Sequence, residues 1–93
     1  MTKFGIIGAG DIANAMAKTI SNMSDMDMYA IASRNLDKAE SYKEKYKMKK
    51  AYGSYEELVR DDNINVVYIA TPHSFHYEHA MLCLKHGKHV LCE

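Results

Sequence analysis

KFGIIGAGDIA, residues 3–13, decides the fold of this 93-residue chain. Lys3 to Ile7 form a short, largely apolar run of the kind found in strands, and the run ends at Gly8-Ala9-Gly10, where the backbone can turn sharply. The apolar residues that follow recur at helical spacing and are Ile12, Ala13, Met16, Ala17 and Ile20. The sequence therefore predicts a strand, a tight glycine turn and a helix in direct succession.

The turn itself has the pattern G-x-G-x-x-A, with Gly8, Gly10 and Ala13 at the fixed positions. In such a turn the first glycine permits the tight bend, the second lets a pyrophosphate approach the backbone, and the small third residue lets the helix pack closely on the sheet. Amides at the start of the helix then bind phosphate. We predict a dinucleotide site across this turn, whose residues are Gly8, Ala9, Gly10, Asp11 and Ile12. The carboxylate of Asp11 suits the positive end of the helix but would repel a pyrophosphate, so its side chain is expected to turn away from the ligand.

Outside this unit, strand and helix patterns continue to alternate along the chain. The next predicted elements are a strand at Met28 to Ala32, a helix capped by Asn35 and a weak strand at Lys50 to Tyr52. A short helix follows, opened by a capping box of Ser54 and Glu57. The last three are a β-branched strand at Asn65 to Ala70, a helix at Phe75 to His86 and a strand at His89 to Cys92. This alternation predicts an α/β fold with a parallel sheet and right-handed crossovers. Together with the glycine turn it indicates a doubly wound sheet of Rossmann type, for which we expect five strands in the order 3-2-1-4-5.

The residues after the second strand bear on the type of cofactor. A protein that prefers NAD places Asp or Glu there to hold the adenosine ribose hydroxyls, and this chain has Ser33-Arg34 instead. A hydroxyl and a guanidinium suit a 2′-phosphate, which a carboxylate would repel, and Lys38 is placed one helical turn further to assist. We therefore predict NADP(H). The alternative is NAD, with Arg34 either solvated or stacked on adenine without choosing between the cofactors.

The segment Thr71-Pro72-His73-Ser74-Phe75-His76 follows the fourth strand, at the place where an open α/β sheet reverses direction and binds ligands. Pro72 fixes the turn, Ser74 is a candidate helix cap, and His73 and His76 are candidates to donate hydrogen bonds to the cofactor or to the helix end. His73, His76 and His79 stand at three-residue steps, but they lack the cysteine and carboxylate partners of a closed metal site, so no metal is predicted.

Composition excludes several classes of partner. Twelve basic residues balance twelve acidic ones, which gives no electrostatic case for a nucleic acid or an anionic membrane. Lysines interleaved with tyrosines between residues 42 and 55 are explained by helical spacing rather than by a nucleic-acid surface. With two cysteines, no signal peptide and no apolar run long enough to span a membrane, the chain is expected to be cytoplasmic.

Taken together, FGIIGAGDIA, AIASRNLDKAESY, AYGSYEEL and VVYIATPHSFHYEHAMLCLKHGKHVLCE resemble the amino-terminal half-domain of the Gfo/Idh/MocA oxidoreductases over essentially the whole chain. The ASRN segment and the GKHVLCE ending are most similar to the branch of dihydrodiol dehydrogenases and NADP-linked sugar dehydrogenases. The resemblance implies that the cofactor is lined by Gly8, Gly10, Ile12, Ser33, Arg34, Thr71, Pro72, His73, His76 and Glu93.

The resemblance also implies that residues 1–93 are an incomplete dinucleotide-binding domain, because family members continue into Lys-Pro, complete the sheet and add a substrate domain. Hydride transfer to or from a hydroxyl or diol carbon of a sugar or related small molecule is then expected of the parent enzyme and not of this chain alone, and no catalytic residue is assigned here. The missing parts would carry the substrate, and their loss favours a homo-oligomer. A regulatory module that senses the cofactor without turnover is the alternative function. A methyltransferase is disfavoured, because Ser33-Arg34 stands where it would need a ribose-binding acid.

Overall fold

The structure, a computed structural model, describes residues 2–8, 10–22, 26–71 and 73–92. Five strands are β1 Thr2–Ile7, β2 Met26–Ala32, β3 Lys50–Tyr52, β4 Val66–Ile69 and β5 His89–Cys92. Four helices are α1 Asp11–Ser21, α2 Leu36–Tyr46, α3 Tyr55–Val59 and α4 His76–Lys85. A single 3-10 turn, His73–Phe75, leads into α4.

All strand pairs are parallel, and the sheet order is β3-β2-β1-β4-β5. The predicted fold class and strand order are therefore confirmed. The second strand begins two residues earlier than expected, at Met26, and the fourth is trimmed at both ends to Val66–Ile69. One irregularity in register lies between Phe4 and Gly5.

Helices cover both faces of the sheet and give it two apolar layers. On one face α1 and α2 contribute buried alanines and Ile20 against Phe4, Ile6 and Ile31. On the other face α3 and α4 contribute Leu58, Val59 and Cys83 against Ile7 and Val67. The central strands are covered from both sides, which explains why their sequences are continuous apolar runs rather than alternating ones.

The predicted helix starts are confirmed at α2 and α3. The side chain of Asn35 accepts hydrogen bonds from the amides of Asp37 and Lys38, and Ser54 Oγ accepts one from the amide of Glu57. The Glu57 carboxylate accepts a hydrogen bond from the Ser54 hydroxyl at 3.0 Å, whereas in the usual capping box it accepts from the backbone amide of the cap residue.

The prediction at the start of α4 was wrong in two respects. The helix begins at His76, not Phe75, and ends at Lys85, with His86 as its C-cap. Ser74 is not its cap, because it lies inside the 3-10 turn, while Phe75 occupies the N-cap position without a side-chain hydrogen bond.

Candidate nucleotide site

The carboxyl ends of β1, β2 and β4 meet at one edge of the sheet, and the first glycine of the turn lies where they meet. The amide of Gly8 donates to the carbonyl of Ala32 at 2.9 Å, and the amide of Ala70 donates to the carbonyl of Ile7 at 2.9 Å. Gly8 has φ +108°, and a Cβ on it would lie 3.0 Å from the carbonyl oxygen of Ala70. No other residue fits at this position, because both its conformation and its surroundings exclude a side chain.

The second glycine of the turn has the opposite surroundings. A Cβ on Gly10 would find no described atom within 4 Å, and Gly10, the N-cap residue of α1, makes no side-chain hydrogen bond to the amides of that helix. Space beside the backbone and an N-cap residue without a side chain fit a phosphate group. The hydroxyl of Tyr42 on α2 donates to the Gly10 carbonyl at 3.1 Å, which connects the turn to that helix.

Ser33 and Arg34 follow β2 directly, as the sequence indicated. Ser33 is buried; its amide donates to the Tyr52 carbonyl at 3.1 Å and its Oγ accepts from the Asn35 amide at 3.1 Å. A hydroxyl that accepts one bond still carries a proton to donate to a phosphate oxygen. Lys38 is exposed in the first turn of α2.

Two aromatic rings support the guanidinium of Arg34. Its Cζ lies 5.8 Å from the ring centroid of Tyr55 and 5.6 Å from that of Phe75, both within the range of cation-π contact. His79 lies against the same two rings, with centroids 4.7 Å from Tyr55 and 5.9 Å from Phe75. The arginine is therefore placed against aromatic residues from α3 and from the turn before α4.

Two histidines of α4 hold Thr71, which lies two residues beyond the end of β4. His76 Nε2 donates to the Thr71 carbonyl at 2.6 Å, and His79 Nδ1 shares a hydrogen bond of 2.8 Å with Thr71 Oγ1. Burial lowers the pKa of His79. The structure thus gives His76 a partner within the chain, and the neutral form of His79 is the one that suits its buried position.

The remaining site residues predicted from the sequence cannot be placed in full. Ala9, Pro72 and Glu93 lie outside the described residues, and so do the side chains of Asp11, Ile12 and His73. Of the others, Gly8, Gly10, Ser33, Arg34, Thr71 and His76 all belong to the carboxyl-end edge of the sheet. Their role in binding a cofactor stays a prediction.

A groove of about 890 Å³ lies between α3 and α4 rather than across the glycine turn. Of the cofactor residues predicted from the sequence, Arg34 is the one that lines it within the described part of the chain. The groove therefore includes Arg34 but not the glycine turn.

Tyr42, Tyr55, Phe75 and His79 were not recognised as site residues from the sequence. Helical spacing marks Tyr42 as a residue that packs on the sheet, and it packs on the core as well as donating to Gly10. His79 stood in a row of three histidines that suggested at most a metal. Among the residues that the structure describes, no three His, Cys, Asp or Glu side chains are grouped to hold a metal ion. No helix in the same ranges is long and apolar enough to span a membrane.

Comparison with known proteins places this geometry in a family. The chain is 46% identical over 93 residues to trans-1,2-dihydrobenzene-1,2-diol dehydrogenase of Mus musculus, a match that covers 98% of this chain and 28% of that protein. The chain thus spans less than a third of the length of the curated relative it matches.

Solved structures agree on the fold. A 3-ketoreductase from Actinomadura kijaniata, crystallised with NADP and TDP-benzene, superposes with a TM-score of 0.92 at 30% identity, covering 98% of this chain and 28% of that one. Scyllo-inositol dehydrogenase from Lactobacillus casei, crystallised with NAD(H) and scyllo-inositol, superposes with a TM-score of 0.91 at 24% identity, covering 99% of this chain and 27% of that one. The second likeness shows the fold alone.

A family model described as the oxidoreductase family with an NAD-binding Rossmann fold matches residues 2–93. The chain belongs to the Gfo/Idh/MocA oxidoreductase family and forms its nucleotide-binding Rossmann fold.

Proposed function

We propose that this chain is the NADP(H)-binding part of a dehydrogenase that moves a hydride between the nicotinamide ring and a hydroxyl or diol carbon of a sugar or related small molecule. The observation that carries the choice of cofactor is the pair Ser33 and Arg34 at the end of β2. A carboxylate that would repel a 2′-phosphate is absent from both positions, and a permanent positive charge stands beside a buried hydroxyl.

The residues present fit a dinucleotide. Gly8 makes the turn that no other residue can make, and Gly10 leaves the space through which a pyrophosphate reaches the amides of α1. Ser33 and Arg34 lie at the adjacent strand end, where the adenosine ribose is expected. When bound, the cofactor supplies the hydride chemistry, and this chain supplies binding and orientation.

The substrate class and the dehydrogenase activity belong to the whole protein and are proposed from its relatives. The mouse relative is named for a diol substrate, and the 3-ketoreductase was crystallised with a nucleotide-linked ligand and NADP. Both names fit oxidation or reduction at a carbon that bears a hydroxyl or carbonyl group. Further parts of such a protein would hold the substrate, and the cofactor is the partner proposed for residues 1–93.

The test is a fluorescence titration of the purified chain with NADPH and with NADH. We expect tighter binding of NADPH, and we expect Arg34→Ala to weaken NADPH binding by about ten- to a hundredfold, the loss of a charged phosphate contact, with little change for NADH. Ser33→Asp should reverse the preference, because the new carboxylate accepts from ribose hydroxyls and repels the 2′-phosphate.

Arg60→Ala is the matched control, because it also removes an arginine. Arg60 is exposed and caps the carboxyl end of α3, whereas Arg34 contacts Tyr55 at the start of that helix. Tighter binding of NADH by the unmodified chain would overturn the assignment of NADP(H). Equal losses for both cofactors in the Arg34 variant would show that Arg34 contacts a part that the two share, such as adenine.

A further inference from the structure

His79 is buried next to the candidate site. One of its ring nitrogens contacts Thr71, and Thr71 in turn packs under the glycine turn. Its Nδ1 shares the 2.8 Å hydrogen bond with Thr71 Oγ1, and both side chains are less than a tenth exposed. The methyl group of Thr71 in turn lies 3.3 Å from the point that a Cβ on Gly8 would occupy. Thr71 therefore fills the space beneath the first glycine, and His79 fixes the orientation of Thr71.

The faces of the same imidazole support the other end of the site. Tyr55 meets the ring edge to face, with an interplanar angle of 75°, and Phe75 stacks on it at 22°. These two aromatic rings are the ones over which the Arg34 guanidinium lies. Phe75 and Tyr55 come from different elements, and the imidazole contacts both rings, so it links the two elements at this point.

From this arrangement we propose that His79 is a positioning residue for both ends of the dinucleotide site. Its nitrogen acts through Thr71 on the glycine turn, and its ring acts through Tyr55 and Phe75 on Arg34. The inference rests on the proposed function, since it assigns pyrophosphate to the turn and the 2′-phosphate to Arg34. Histidine suits the position because it combines a flat ring with a polar atom next to Cγ, which neither an aliphatic nor a simple amide side chain does.

Two variants separate the two actions. His79→Phe keeps a ring between Tyr55 and Phe75 but leaves the buried Thr71 hydroxyl without its nitrogen partner. His79→Asn places an amide atom where Nδ1 was, which keeps a partner for Thr71, but it removes the ring. Tyr77→Asn, on the exposed side of the same helix, is the matched control because it makes the same kind of change at a residue that is 79% exposed.

We expect the two variants to weaken cofactor binding in different ways. His79→Phe should weaken NADPH and NADH by the same factor, about five- to twentyfold, because both cofactors share the pyrophosphate. His79→Asn should weaken NADPH about three- to tenfold more than NADH, because only NADPH carries the group that Arg34 is proposed to bind. Tyr77→Asn should bind both as the unmodified chain does.

A second measurement needs no cofactor. In NMR spectra of the chain alone, the Thr71 methyl resonance should move in His79→Phe, and the ring-current shift of the Arg34 guanidinium should be lost in His79→Asn, while each variant leaves the other signal in place. Circular dichroism and thermal melting verify that both variants fold; if either does not, Tyr55→Leu and Thr71→Val test the same two arms separately.

The outcomes distinguish this inference from the function on which it rests. If the unmodified chain prefers NADH, the assignment of NADP(H) is overturned, and the NMR signals still decide whether His79 positions Thr71 and Arg34. If the chain prefers NADPH but neither variant changes binding, or if neither NMR signal moves, His79 is a packing residue only and the inference is overturned.

Discussion

At the scale of single residues, the site depends on a few side chains whose neighbours come from distant parts of the sequence. His79 is one of them: its contacts with Thr71, Tyr55 and Phe75 require the segment after β4, the start of α3 and the turn before α4 to come together. Tyr42 is another, since it reaches the carbonyl of Gly10 from α2. Their chemical types were visible in the sequence, but their partners were not.

The lowered pKa of His79 predicts how stability depends on pH. Burial is the main cause; Arg34 and His76 also lower the pKa, and Glu78 and Glu56 oppose them. Because the folded chain binds this proton less readily than the unfolded chain, the contribution is complete above the ordinary histidine pKa of about 6.5 and is lost as pH falls through the folded value.

We therefore expect the free energy of unfolding, measured in urea, to fall below about pH 6.5 more steeply in the unmodified chain than in His79→Phe. The variant retains the other four histidines of the chain, which makes the comparison specific to His79. Parallel pH profiles for the two proteins would contradict the prediction.

At the scale of elements, caps and turns were the features that local sequence determined best. Asn35 and Ser54 cap α2 and α3 because each needs only amides two or three residues ahead. The start of α4 was misplaced by one residue, because a 3-10 turn precedes the helix, and the first turn of the helix contacts Thr71 through His76 and His79. Local preference did not contain that information.

Lys88, just before β5, joins two elements in a way that the sequence did not indicate. It is 8% exposed, and its Nζ donates to the carbonyls of Asp61 at 2.7 Å and Ile64 at 2.8 Å. The loop between α3 and β4 is also held by the Tyr52 hydroxyl, which donates to Asp61 Oδ2 at 2.6 Å. Burial opposes ionisation of Asp61, but this bond and those from Asn63 outweigh it and lower the pKa of the carboxyl group.

Lys88→Met should destabilise the chain by about 2 kcal/mol, because the two carbonyls lose a charged donor and the apolar side chain cannot replace it. Chemical denaturation followed by circular dichroism measures the change. Lys49→Met, which removes an exposed lysine ahead of β3, should alter stability by less than about 0.5 kcal/mol. Equal effects of the two substitutions would show that Lys88 contributes no more than a surface charge.

At the scale of the whole molecule, four of the large exposed apolar side chains among the described residues lie on one helix and one edge strand. Tyr77, Met81 and Leu84 are 79%, 49% and 58% exposed at helical spacing along α4, and Leu91 is 48% exposed on β5, at the edge of the sheet. Patches and strand edges of this kind favour association between chains.

We expect the chain to self-associate with rising concentration in sedimentation experiments, and we expect the double substitution Met81→Lys and Leu84→Lys to shift it toward monomer. Thr19→Lys with Asn22→Lys adds the same charge at exposed positions near the end of α1 and should leave association unchanged. A monomer at every attainable concentration, with or without the substitutions, would contradict this prediction.

The sequence by itself determined the fold class, the strand order and the position of the glycine turn. The fold class and the turn follow from periodicity and from glycine, whose effects act over a few residues, and Gly8 has the positive φ that such a turn requires. The strand order follows from the Rossmann type that those local patterns indicate. It also located Ser33 and Arg34 at the end of β2, because the end of a strand can be read from a local pattern. Only the tertiary structure decided which side chains contact these residues. These contacts are the aromatic rings against Arg34, the hydrogen bond from Tyr42 to Gly10 and the contacts of His79. Most of those contacts join residues far apart in the sequence, 8 positions for Thr71 and His79, 32 for Gly10 and Tyr42 and 41 for Arg34 and Phe75, and their geometry depends on how whole helices pack against the sheet.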